Sequence, residues 1–308
     1  MSSDLKGVRA FAHRVWGWLC RPFQREAPKP PPPAPSTRLT HVVLTDEVAD
    51  TLLREFAEHR ESSRGGEEIG WLLLGHRESD HAIVRATIPA GTFREASITH
   101  VAFDSEAQEA TSLILRQEDK RLKVLGVVHT HPGELDHPSS GDYRGDSVWV
   151  ESLPGQEGIF AIGVVDGKPV TEIASESKVC VQCRGDLRFC WYALAVGDEN
   201  YRPLRVEQQS GADLALTYRP VQSILEEQAI PLKRLLIQQA QAKCRVVNDA
   251  LSVKFRLADD HFLILMLRDE TVEYYVIQGE QTFQVSPDAS SIEEGVYLLL
   301  AELARQAG

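Results

Sequence analysis

Residues Leu122–Asp142 read LKVLGVVHTHPGELDHPSSGD, an apolar run that ends in closely spaced histidines, a serine and an aspartate. The segment Leu122–Val128 has the length and composition of a buried strand. Side chains at i and i+2 of a strand leave the same face, so His129 and His131 converge on one point while Thr130 points the other way. Pro132 ends the strand because it has no N–H for the ladder. Ser139 and Asp142 face the same way if a helix starts there, with Ser140-Gly141 as the tight lead-in. Asp142 can then join the two histidines. Two imidazoles and one carboxylate suit zinc and leave one position open for water, as a catalytic site requires.

Such a site also needs a group that takes a proton and passes it on. The acidic candidates upstream are Glu67 and Glu68, at the start of a predicted strand Glu67–Leu74, EEIGWLLL. Their apolar neighbours lower the local dielectric, which favours a carboxyl ready to accept a proton. The Ser139 hydroxyl can donate to the oxyanion of a tetrahedral intermediate. It is less suited to act as nucleophile, since an activated water is already at hand.

The set Glu67, His129-Thr130-His131-Pro132, Ser139 and Asp142 resembles the signature of the JAMM (MPN+) zinc metalloproteases. That signature is a glutamate, a long gap, His-Ser/Thr-His-Pro, then a serine and an aspartate at the spacing found here. Glu67-Glu68-Ile69-Gly70, with Leu72 and Gly75, resembles the family's glutamate strand, Glu-x-x-Gly followed by apolar residues. This register assigns the family's base to Glu67, with Glu68 one residue away as the alternative. The resemblance spans about residues 39 to 200. It implies an α/β (α+β) fold, an MPN/cytidine-deaminase-like mixed sheet flanked by helices. It also implies a zinc-dependent isopeptidase or peptidase that cleaves after the C-terminal glycine of a ubiquitin-like protein. By the same resemblance His129, His131 and Asp142 hold one Zn2+, Glu67 is general base and acid, and Ser139 steadies the oxyanion.

Relatives of this kind act in bacterial ubiquitin-like conjugation systems, including antiphage (antiviral defence) operons, and in sulfur-carrier processing. The expected partners are a ubiquitin-like protein, its conjugates and the associated conjugating machinery. Two other functions are compatible with the fold. One is a non-catalytic MPN scaffold subunit that binds a ubiquitin-like partner, against which the intact ligand set argues. The other is a JAMM hydrolase for a sulfur-carrier conjugate or a small amide.

Glu134, Asp136 and His137 lie between the ligands and read as a solvated loop that shapes substrate access. Cys180-Val-Gln-Cys183 invites a second zinc, with Cys190 and Cys244 as further ligands. Cys180 and Cys183 would leave opposite faces of a strand, however, so ordinary thiols are expected. Trp149 and Trp191-Tyr192 read as core or edge residues. The five cysteines are odd in number and scattered, which points to a reducing, cytoplasmic setting rather than a disulfide framework.

The formal net charge of -12 argues against a general affinity for nucleic acid. No apolar run reaches the length of a membrane span. Residues 1–38 form a distinct segment. Lys6, Arg9, Arg14, Arg21 and Arg25 stand against Asp4, with apolar residues near helical spacing, as in an amphipathic helix for a partner or an anionic membrane surface. PKPPPPAP, residues 28–35, is a stiff linker. A catalytic domain over 39–212 and a C-terminal α+β domain over 213–308 are expected to follow.

Within the catalytic domain the patterns predict strands at 41–44, 67–74, 82–87, 122–128 and 158–165, and two more within 179–196. Helices are predicted at 46–59, from Ser105 (capped with Gln108) to Gln117, and from Asp142 to Ser152. Asp166-Gly167 reads as a turn, and 198–220 as irregular. The C-terminal domain reads as a helix over 221–244 divided at Pro231, then strands at 251–257, 262–268, 272–278 and 282–285, then a helix over 291–305. This order is similar to ubiquitin-conjugating and RWD folds. No cysteine follows the meander, so the domain reads as a binding module.

Overall fold

The computed structural model describes residues 38–91, 105–133, 135–165, 181–239, 241–258, 260–269 and 271–306. The basic tail, the proline linker, Cys180, Glu134 and the Asp166-Gly167 turn lie outside them, as does the Ser105 side chain. The described residues form two compact units, one ending at Thr217 and the other beginning at Tyr218, with Glu109–Gln117 counted in the second.

The first unit opens with β1 (His41–Thr45), which runs directly into α1 (Asp46–Glu61). Asp46 and Glu47 occupy the first turn of α1 and His59 and Arg60 the last, as the helix dipole favours. Its residues Val48, Leu52, Leu53 and Phe56, spaced at the helical repeat, are buried in one cluster with Trp71, Leu73, Phe189 and Trp191. The sheet continues with β2 (Gly70–Arg77), β3 (His81–Pro89), β4 (Lys123–Thr130), β5 (Glu157–Val165), β6 (Val181–Arg184), β7 (Leu187–Ala195), β8 (Arg202–Pro203) and β9 (Arg205–Gln209). Helices α2 (Ser105–Leu115) and α3 (Ser140–Trp149) flank β4 in sequence. The strand order is β6-β7-β5-β4-β2-β3-β1-β9, with β8 on β7. Pairs β1–β3, β1–β9 and β4–β5 are parallel and the rest antiparallel. This is the mixed α/β sheet the motifs implied.

The histidine strand β4 lies between β2 and β5, and all three are almost wholly buried, which is why they read as unbroken apolar runs. Gly126 lets β4 and β5 meet: its φ is 156°, and a Cβ there would sit 1.7 Å from the Ile159 carbonyl oxygen. Gly126→Ala is therefore expected to cost about 3 kcal/mol, a fall of about 6–12 °C in thermal midpoint. An unchanged midpoint would contradict the β4–β5 register.

Several elements differ from expectation. First, β2 starts at Gly70 rather than Glu67 and runs on to Arg77. Second, the stretch 198–220 contains β8 and β9, and β9 adds in parallel to β1 at the sheet edge. Being mostly exposed, β9 carries little apolar alternation to reveal it. Third, the break in the 221–244 helix falls at Gln228, between α4 (Gln222–Glu227) and α5 (Ala229–Gln238). Pro231 sits in the first turn of α5, where its missing N–H has no helical partner to lose.

The second unit continues with β10 (Lys243–Val247), β11 (Ala250–Ala258), β12 (His261–Arg268), β13 (Thr271–Gln278), β14 (Gln281–Val285) and α6 (Ile292–Gln306). The strands form an antiparallel meander in chain order. β10 was not anticipated, and it takes Cys244 out of the expected helix. Ser291 caps α6 by accepting from the Glu294 N–H at 3.2 Å. Among the described residues no helix is long and apolar enough to cross a membrane.

Candidate metal centre

The site grows out of the pairing of β2 with β4. Gly70 stands opposite His129. The Thr130 N–H donates to the Ile69 carbonyl at 2.9 Å, and the Ile69 N–H donates to Thr130 Oγ1 at 3.0 Å. Thr130 thus points away from the histidines and is satisfied there. Continuing the register two pairs beyond Gly70 and His129 sets Glu68 across from His131. Directly opposed residues on antiparallel strands share a face.

His129 Nε2 and His131 Nε2 lie 3.1 Å apart. Asp142 brings Oδ1 to 3.4 Å from the first and Oδ2 to 3.7 Å from the second. All three ligand atoms fall within 4.8 Å of one another. Bonds of about 2.0–2.1 Å to a tetrahedral zinc would place ligands about 3.3 Å apart, so the residues present fit that ion. Both histidines are more than nine-tenths buried.

Each ligand is oriented by a second contact. His131 Nδ1–H donates to the Leu135 carbonyl at 2.8 Å, which turns the Nε2 lone pair inward. Burial opposes charge on His131, but its hydrogen bonds to Asp142 and Leu135 outweigh this and raise its pKa. Asp142 is the third residue of α3 in a reciprocal capping box. Ser139 Oγ accepts from the N–H groups of Gly141 and Asp142, each at 3.2 Å, and Asp142 Oδ2 accepts from the Ser139 N–H at 2.6 Å. Burial works against the Asp142 charge, yet hydrogen bonds from His129 and His131 hold its carboxyl well below the usual range.

The two upstream glutamates part company. Glu68 is 4% exposed, and burial pushes its carboxyl up to about 7, with His131 opposing and Asp142 reinforcing the shift. The Glu67 carboxylate instead pairs with Arg64 at 2.6 Å and is 32% exposed. The sequence register through Gly70 selected Glu67; the strand pairing brings Glu68 to the ligands.

Ser139 is brought to the site through its cap. Its oxygen accepts two N–H groups, leaving its own proton free to donate. Ser139→Ala is expected to cost about 1 kcal/mol of stability through the lost cap alone. If it also steadies an oxyanion, kcat should fall by about 10²–10³ with zinc content unchanged. A stability loss without a rate loss would confine Ser139 to capping.

The loop before α3 is held from β7. Arg188 donates to Asp136 Oδ2 at 3.1 Å, and the Tyr192 hydroxyl donates to the Asp136 carbonyl at 3.0 Å. Asp136 thereby anchors the loop that presents the Leu135 carbonyl to His131. His137 is exposed and touches Asp136, not the ligand trio. Asp146, one turn beyond Asp142, was missed in sequence. It accepts from the Tyr201 hydroxyl at 2.7 Å, and burial pushes its carboxyl up to about 7. The i, i+4 spacing from Asp142 was the signal available. Trp191 is fully buried and Trp149 meets Phe160 edge to face, as core and edge residues. Cys190 and Cys244 are buried and Cys183 is exposed, and the His129–His131–Asp142 trio is the group among the described residues that could hold a metal.

Comparison with known proteins bears on this geometry. Residues 49–177 match the family model for prokaryotic homologs of the JAB domain. No curated protein matches the chain. The solution structure of protein DSY2949 from Desulfitobacterium hafniense is similar over 56% of this chain and 94% of that one, at 16% identity and a TM-score of 0.35, too slight a likeness to bear on function. The chain carries, over residues 49–177, a JAB/MPN domain of the prokaryotic kind, from a family that includes hydrolases.

Proposed function

We propose that the protein is a zinc-dependent isopeptidase or peptidase that cleaves after the C-terminal glycine of a ubiquitin-like protein. The observation that carries this is the convergence of His129, His131 and Asp142, with the buried Glu68 carboxyl facing His131 and Asp142. His129, His131 and Asp142 would hold the ion. When bound, zinc supplies Lewis-acid chemistry, acidifying water and polarising a carbonyl.

The protein's own groups do the rest. Glu68, with a carboxyl near 7, is matched to accept a proton from the attacking water at neutral pH and return it to the departing amine. Ser139 offers its hydroxyl proton to the developing oxyanion. His131, clamped by the Leu135 carbonyl, keeps its Nε2 aimed at the centre. A substrate tail would lie extended along a strand edge, held by main-chain hydrogen bonds.

The test is incubation with a panel of bacterial ubiquitin-like proteins bearing a C-terminal extension. Cleavage after the terminal glycine, abolished by a chelator and restored by zinc, is expected. Tight binding without turnover by the zinc-loaded protein would favour a scaffold subunit. Turnover of small amides with no action on the fusions would move the chemistry to low-molecular-weight substrates.

A further inference from the structure

The meander of the second unit has two different faces. Alternation along β11 and β12 buries Leu251, Val253 and Phe255, and Leu263, Leu265 and Leu267. The intervening residues are partly or fully exposed. On that open face Lys243 and Arg245 of β10 lie beside Lys254 and Arg256 of β11, lining a concavity of about 670 Å³ with Phe262 as an apolar wall. Lys243, Arg245 and Lys254 have no carboxylate partner among the described residues. Further across, Ile264 and Ile277 extend the apolar surface, half-buried.

Charges on an edge strand commonly guard it against pairing with another chain. That accounts for β10 but not for Lys254 and Arg256, which stand on an interior strand. Lys243 and Lys254 are also direct cross-strand partners. Like charges so placed are destabilising, and a negative partner would relieve them. In a chain of net charge -12, four cations on one apolar-walled face form a local reversal of sign.

We propose that this face docks an acidic polypeptide segment. Its carboxylates meet Lys243, Arg245, Lys254 and Arg256, and its apolar side chains lie on Phe262, Ile264 and Ile277. A nucleic acid is a poorer fit. The Lys254 ammonium already lies 3.6 Å from the centroid of the Phe262 ring, where a base would stack. The chain's own N-terminal tail is also disfavoured, because its cations would face cations. This inference does not depend on the hydrolytic reading.

The test pans random displayed peptides on the full chain, with the Lys243→Glu/Lys254→Glu double variant as counter-target. The enriched sequences are expected to be acidic with interspersed apolar residues. A fluorescent copy of the strongest should bind the full chain and lose at least about tenfold in affinity in the double variant. Arg245→Ala/Arg256→Ala, a milder change for the fold, should lose about fivefold with an unchanged thermal midpoint, and added salt should weaken binding. Peptides that bind all three proteins equally would overturn the proposal. So would oligothymidylate or phosphatidylserine vesicles that bind more tightly than the peptide through the same four residues. Peptide binding gained only after removal of residues 1–37 would assign the face to the chain's own tail, and also overturn it.

Discussion

Glu68→Gln is expected to lower kcat on a ubiquitin-like fusion by about 10²–10⁴-fold, the usual contribution of a positioned acid–base group. Zinc content should stay at one ion per chain. Glu67→Gln, which removes the partly exposed ion pair with Arg64, should leave kcat within about twofold, in line with the small worth of surface ion pairs. The reverse pattern would return the base to Glu67. The same substitution has a stability signature in metal-free protein. Burial raises the Glu68 carboxyl from its ordinary 4.5 to about 7, so the folded state holds this proton more tightly than the unfolded state. Stability contributed by that proton is present below pH 4.5 and lost as pH rises through 7. Glu68→Gln escapes the penalty. Metal-free Glu68→Gln should therefore melt above wild type at pH 8 and level with it at pH 4. Equal midpoints at pH 8 would mean that Glu68 is not buried as a charge at cost to the fold. A functional carboxylate that weakens its own protein is a common trade-off.

Zinc is expected to raise the thermal midpoint of wild type and to leave that of His131→Ala unmoved. At a free concentration one hundred times Kd, an ion that binds only the folded state adds about 2.7 kcal/mol, or about 5–10 °C for a unit of this size. His131→Ala removes a ligand and also frees the Leu135 carbonyl. Chelator should abolish the wild-type shift, and hydrolysis should vanish with it. A full zinc shift in His131→Ala would remove this residue from the ligand set. Asp142→Asn separates charge from capping: the amide oxygen can still accept the Ser139 N–H, but it no longer offers an anionic ligand. Its fold should survive while its zinc response is lost.

Much of the fold followed from runs that carry their own periodicity. The strands around β4 and the helix α1 were readable because burial on both faces leaves continuous apolar runs, and burial on one leaves a helical stripe. β9 and β10 were not, since exposed edge strands carry no such pattern. The Gln228 break was obscured by Pro231, whose place in a first turn only the caps reveal.

Spacing along the chain is enough to bring the three candidate ligands together. His129 and His131 share a face because a strand repeats every two residues, and Asp142 is aimed by a capping box that closes within four residues of chain. Both are local geometries, settled by spacing. Which glutamate lies buried beside the trio depends instead on how distant strands pair. Glu67 and Glu68 differ by one residue, and a one-residue slip in strand register exchanges the two faces. The pairing of Gly70 with His129 sets that register across a long stretch of chain. Asp146, Tyr201 and the Arg188–Asp136 anchor likewise depend on contacts between segments far apart in sequence, which spacing alone does not encode.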